Sequence, residues 1–175
     1  MGSFARGDRM HRDFQLLFNS PVQKFWSRTH LEDTLGWLRT QGYRIIELRS
    51  DAWRSEADMH SAFAQLLSFP SYYGRNLDAL DECLADFALY EFGSDLQATG
   101  TVLVLSKYDS FVRLQAETAY LVVDAIASAS RQALLIGHRM LCLVQTDDPR
   151  LEIEPVGSQP VMWNPQEFLN ASRGV

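Results

Sequence analysis

Phe69-Pro70-Ser71-Tyr72-Tyr73-Gly74-Arg75-Asn76-Leu77-Asp78-Ala79-Leu80, with Glu82 and Asp86 following, is the stretch on which the fold turns. Pro70 cannot continue a helix, which predicts that one ends before it, and Asn76 offers a side-chain oxygen to cap another. The second helix is expected from Leu77 to about Tyr90. At about 100° per residue, Leu77, Leu80, Cys83, Leu84 and Phe87 share one side, and Asp78, Asp81, Glu82 and Asp86 share the other. The apolar stripe needs a core to pack on, and the acids are left facing water.

A solvated face of an ordinary amphipathic helix would account for part of this pattern. It does not account for the arrangement of charge. Asp78 and Glu82, like Glu82 and Asp86, stand at i,i+4 and repel by roughly 0.2–0.5 kcal/mol per pair. No lysine or arginine on that face relieves them, and Asp86 sits towards the unfavourable end of the helix dipole. The surplus points to a cation or a basic protein as its complement. Beside it, Gly74 can adopt a positive φ and admit close approach to the backbone, and a tyrosine pair supplies stiff contact area. Tyr73 is expected to pack inward and Tyr72 to face outward.

Working outward, Leu31, Leu35 and Leu38 predict a helix over Leu31 to Thr40, and Tyr43 to Leu48 reads as a strand. Ser55, with Asp58 three residues on, predicts a helix start, and Met59, Phe63, Leu66 and Leu67 form its apolar stripe. Thr101 to Ser106 is a near-continuous apolar strand, which implies burial on both faces. A long helix is expected over about Val112 to Ser130, and a strand over Arg139 to Gln145. The order β-α-α-β-α-β favours a parallel sheet in an α/β layer structure. Near the end, residues 156–161 read as a turn between extended pieces, and Trp163 to Gln166 as the start of a short helix. Expected interior positions include Ile45, Ile46, Phe63, Leu66, Leu77, Leu84, Val102, Val104, Val123, Leu141 and Leu143.

At 175 residues, the chain suits one well-packed domain, with a loose polar end over residues 1–13. Its formal charge of −6 argues against nucleic acid as a direct partner and suits a basic protein. Neither a secretory leader nor a run long enough to span a bilayer is evident, so a cytoplasmic protein with no membrane partner is expected. Cys83 and Cys142 have no metal-ligand spacing and read as reduced core thiols. No cofactor or metal is expected. Asp78, Asp81 and Glu82 with His60 leave a divalent-metal enzyme open, although His60 falls on a different predicted helix and no phosphate-loop, nucleophile-elbow or HExxH motif is present.

The run Tyr-Tyr-Gly-x-Asn-Leu-Asp-Ala-Leu resembles the barstar family of ribonuclease inhibitors. The resemblance covers about residues 42–148 and is densest from Pro70 to Leu84. It implies a barstar-like α/β fold, a small three-stranded parallel sheet packed with helices, with N- and C-terminal extensions beyond the family prototype. It also implies a non-catalytic immunity protein that blocks a basic ribonuclease, with Tyr72, Gly74, Asn76 and Asp78 at partner contacts. Glu82 falls where the family places an aspartate that enters the enzyme's phosphate pocket. Asp81 and Asp86 complete the expected binding face. Asp81 stands where the prototype has tryptophan, and the prototype's distal-helix glutamate has no counterpart near Ala127-Ser128. An adaptor of the same fold, binding another basic protein, is the alternative. Oligomeric state is left open.

Overall fold

The computed structural model describes residues 12–18 and 20–169. The expected loose end therefore falls outside the described residues as far as residue 11, whereas Arg12 and Asp13 begin a helix. The elements are α1 (Arg12–Phe18), β1 (Val22–Phe25), α2 (Arg28–Thr40), β2 (Tyr43–Arg49), α3 (Glu56–Leu66), α4 (Leu77–Ala88), β3 (Gly100–Ser106), α5 (Tyr108–Leu114), α6 (Ala116–Leu135), β4 (Arg139–Gln145) and β5 (Met162–Trp163). Short 3-10 turns lie at Ser50–Ala52 and Pro165–Leu169.

The strands form one parallel sheet in the order β2-β3-β4-β1-β5. The three strands read from the sequence are β2, β3 and β4. Among the described residues five are present, because the two extensions each add one: β1 covers the edge that β4 would otherwise expose, and β5 in turn pairs with β1.

Alternation along the strands shows why a continuous apolar run was needed. In β3, Val102 and Val104 face a cluster with Leu31, Leu35 and Leu38 of α2, while Leu103 and Leu105 face the larger core under α3 to α6. Strand β4 divides likewise, with Leu141 and Leu143 on the α2 side and Met140, Cys142 and Val144 on the other. Every residue of β3 is buried. Helices on both faces leave no wet side for polar residues to occupy.

Strand β1 went unread because half of it is polar. Gln23 and Lys24 are buried, with Gln23 Oε1 accepting from Asn164 Nδ2 at 2.9 Å and Lys24 Nζ donating to the Leu151 carbonyl at 2.9 Å. The Lys24 ammonium also lies over the Trp163 ring, 4.5 Å from its centroid. Hydrophobic period cannot flag a polar residue whose partner is more than a hundred positions away. Helix α1 is tied down in the same way: the Tyr43 hydroxyl and the Arg139 guanidinium both donate to Asp13 Oδ2, each at 2.8 Å. Burial first, and the Asp13 hydrogen bond second, push the Tyr43 hydroxyl up to about 12.

The expected single helix over Val112 to Ser130 is two. Gln115, at φ −145° and ψ 64°, breaks the run between α5 and α6. Neither glycine nor proline marks the break; the corner is held by the buried Tyr108 hydroxyl donating to the Ala119 carbonyl at 2.6 Å and by Asp109 Oδ1 accepting from the Asp147 amide at 3.0 Å. Of the expected interior residues, Leu66 is exposed and Leu67 takes its place, fully buried. Ile45 and Leu77 are half-buried. The remainder are interior.

Candidate functional site

Helix α3 delivers the chain to the site from a well-defined start. Ser55 and Asp58 form a reciprocal capping box, each side chain accepting from the other's backbone N–H. At its far end Ser68 takes φ +57° and the Phe69 amide donates back to the Ala64 carbonyl at 2.9 Å, the left-handed termination that satisfies the last carbonyls. The Tyr73 amide then donates to the Pro70 carbonyl at 3.0 Å, closing a turn. Asn76 caps α4 as its sequence position predicts, its side-chain oxygen accepting from the Ala79 amide at 2.8 Å.

One backbone expectation is corrected. Gly74 does not adopt a positive φ; Arg75 does, at +51°. Arg75 is held there by its guanidinium donating to Ser61 Oγ on α3 at 3.0 Å. A side chain could supply that anchor and a glycine could not. Gly74 is exposed, and its missing Cβ leaves the backbone open beside Asn76.

The tyrosines divide as expected: Tyr73 is 9% exposed and Tyr72 is 78% exposed. Along α4, Leu80, Cys83, Leu84 and Phe87 are buried, whereas Asp78, Asp81 and Glu82 are exposed and Asp86 is half-buried. Among the described residues none of these four carboxylates makes an ion pair with the protein's own basic groups. Their field is felt one turn inward: burial first, then the negative charges of Asp86 and Glu82, push the Cys83 thiol above its ordinary pKa.

Asp78, Asp81 and Glu82 line one wall of an open cleft of about 720 Å³, and α6 forms the other with Asp124, Ser128 and Arg131. The sequence reading missed Asp124. It is the sole carboxylate of α6 after Glu117, a polar interruption in an apolar run, and only the packing of α6 on α4 brings it opposite Asp81 and Glu82. It stands close to the place where a distal-helix acid was sought. Asp124 Oδ1 accepts from the Gly157 amide at 3.0 Å, so the turn bridged by Val156 and Gln159 closes one end of the cleft. Gly157 is at φ +53°, and a Cβ there would lie 2.5 Å from the Arg131 guanidinium.

His60 is not with the acids. It is buried on α3, with Nδ1 next to the Tyr73 hydroxyl and Nε2 next to Glu56. The arrangement sought for a metal enzyme, His60 beside Asp78, Asp81 and Glu82, is therefore not assembled.

An exposed acidic helix, an aromatic loop before it and a parallel sheet beneath it are the layout that the sequence resemblance implies. The sequence profile of the family described as Barstar (barnase inhibitor) matches residues 43–145. The chain belongs to the barstar family. No curated protein matches it. The barstar match begins on the first residue of β2 and ends on the last of β4, so the three-stranded core, the tyrosine loop before α4 and both walls of the cleft fall inside it. Strands β1 and β5, helices α1 and α2 and the Gly157 turn are additions to that barstar core. The family description is that of an inhibitor of a ribonuclease, and no helix among the described residues is long and apolar enough to cross a membrane.

Proposed function

We propose that this barstar-family chain is a non-catalytic immunity protein that inhibits a basic ribonuclease by occupying its active site. The observation that carries the reading is the exposed row Asp78, Asp81 and Glu82, which makes no ion pair among the described residues and is continued by Asp86 and flanked by the outward-facing Tyr72. A ribonuclease must hold the RNA phosphodiester with cationic side chains. Carboxylates on a rigid helix offer those cations the same charge with no bond to cleave, so the complex is stoichiometric and turns nothing over. Glu82 is the carboxylate placed in the phosphate pocket, with Asp78 and Asp81 on its flanks. Tyr72, Gly74 and Asn76 cover the rim. The helix is held in place by its packing on α6 and the core, so little ordering is needed on binding, and the summed negative field favours fast, salt-sensitive association.

The test is a titration of ribonuclease activity recovered by pull-down on the wild-type chain from the source cytoplasm. Glu82→Ala with Asp78→Ala should abolish stoichiometric inhibition while leaving the unfolding midpoint within experimental spread of wild type. Inhibition by the double variant at wild-type stoichiometry would sink the reading. Capture of a basic protein without ribonuclease activity would establish the adaptor instead, a reading favoured by Asp81 where the family prototype has tryptophan.

A further inference from the structure

The recognition loop contains one buried side chain, and its anchor is His60. Between Ser68 and Asn76 only Tyr73 is buried. His60, itself 1% exposed, lies with Nε2 3.3 Å from Glu56 Oε1. The geometry suits the tautomer in which Nε2–H donates to the Glu56 carboxylate oxygen. In that tautomer Nδ1 is the acceptor, and the Tyr73 hydroxyl donates to it at 2.5 Å. At the far end the Thr118 hydroxyl donates to Glu56 Oε2 at 3.4 Å, which extends the chain of contacts to the first turn of α6. Phe69 braces the Tyr73 ring edge-on, with centroids 4.9 Å apart, and is itself braced by Phe92 at 5.8 Å. Burial raises the pKa of the Tyr73 hydroxyl, which keeps it a donor.

We propose that His60 is the positioning residue of the recognition loop: by holding the Tyr73 hydroxyl, it fixes the direction in which the adjacent Tyr72 is presented. Tyr72 is the third residue of the turn that the Tyr73 amide closes on the Pro70 carbonyl, so pinning Tyr73 fixes the turn from which Tyr72 projects outward. Preorganisation of this kind removes an ordering cost that a partner would otherwise meet on binding. That Tyr72 meets a ribonuclease rests on the function proposed above. That His60 orders the loop does not.

Amide hydrogen exchange on the full chain alone tests this. Tyr73→Phe removes one oxygen, and His60→Phe keeps a buried ring but removes the acceptor. Each should speed exchange of the Tyr73 amide, which donates to Pro70, by at least about tenfold, with α4 and β3 amides unchanged. The double variant should be no faster than the faster single one, because both remove the same bond. His60→Asn, whose Oδ1 stands near the former Nδ1, should restore slow exchange. An unchanged Tyr73 amide in Tyr73→Phe, or an acceleration shared equally by α4 and β3, would overturn the proposal. Should His60→Phe fail to fold, Tyr73→Phe decides alone. No partner enters the measurement, so its failure leaves the acidic-face reading standing, and the converse holds.

Discussion

The β2-β3-β4 half of the sheet and the β1-β5 half are held by different physics. In the first, apolar side chains on both faces of β3 and β4 are buried against helices. In the second, the buried Val22 and Phe25 are joined by specific polar pairs: Gln23 with Asn164, Lys24 with the Leu151 carbonyl, and Glu167 Oε1 accepting from the Trp26 and Ser27 amides at 3.0 and 2.9 Å. Apolar burial is non-directional and tolerates small shifts, whereas a buried polar group must find its partner or lose the full cost of its desolvation. The family match coincides with the first half. The second depends on residues at both ends of the chain meeting in space.

The largest effect expected is in the apolar half. Phe87 on α4 is fully buried, and Phe87→Ala should lower the unfolding free energy by about 3–5 kcal/mol in a urea titration. In the polar half, Glu167→Ala leaves the Trp26 and Ser27 amides without their acceptor and should cost about 1–3 kcal/mol. It should leave the proposed ribonuclease inhibition untouched, since Glu167 follows β5 and its partners are the Trp26 and Ser27 amides, outside α4 and the loop before it. A Glu167→Ala loss as large as that of Phe87→Ala, or loss of inhibition with it, would break the distinction between the halves.

His138 sharpens the contrast from within the apolar half. It is buried, its Nδ1–H donating to the Ala88 carbonyl at 2.7 Å and its Nε2 lying 3.1 Å from Thr101 Oγ1, so it pins the end of α4 to β3. Burial lowers its pKa. The unfolded chain therefore takes up this proton at higher pH than the folded one. Its contribution is complete above the ordinary imidazole range near pH 6.5 and is lost as pH falls through the lower folded value, at no more than about 1.4 kcal/mol per pH unit. Urea midpoints between pH 7.5 and 5 should fall accordingly, and His138→Gln should flatten that slope.

The smallest effect reverses sign. Glu82→Lys replaces two i,i+4 repulsions on α4 with attractions and should raise stability by about 1 kcal/mol, while abolishing the proposed inhibition. A variant that is both more stable and still inhibitory would separate the acidic row from function.

Much of the matched half was legible. Strands β2, β3 and β4, the caps at Ser55 and Asn76, and the two faces of α4 all follow from patterns within about a dozen residues. Local reading failed where tertiary partners decided. The break at Gln115 is made by Tyr108 and Asp109 reaching distant backbone, and the left-handed residue of the loop is Arg75 because Ser61 holds it. The choice of Leu67 over Leu66 for the interior turns on the last half-turn of α3, where hydropathy does not distinguish the two.

Sequence alone determined the sheet strands that are apolar on both faces, the helix that separates core from acid, and the family to which that pattern belongs, because periodicity and capping are local properties. Tertiary structure alone decided that Asp124 stands opposite Asp81 and Glu82, that His60 turns to Tyr73 and away from those acids, and that both ends of the chain extend the sheet. Those outcomes depend on directional contacts between residues far apart in the chain, which no local pattern records.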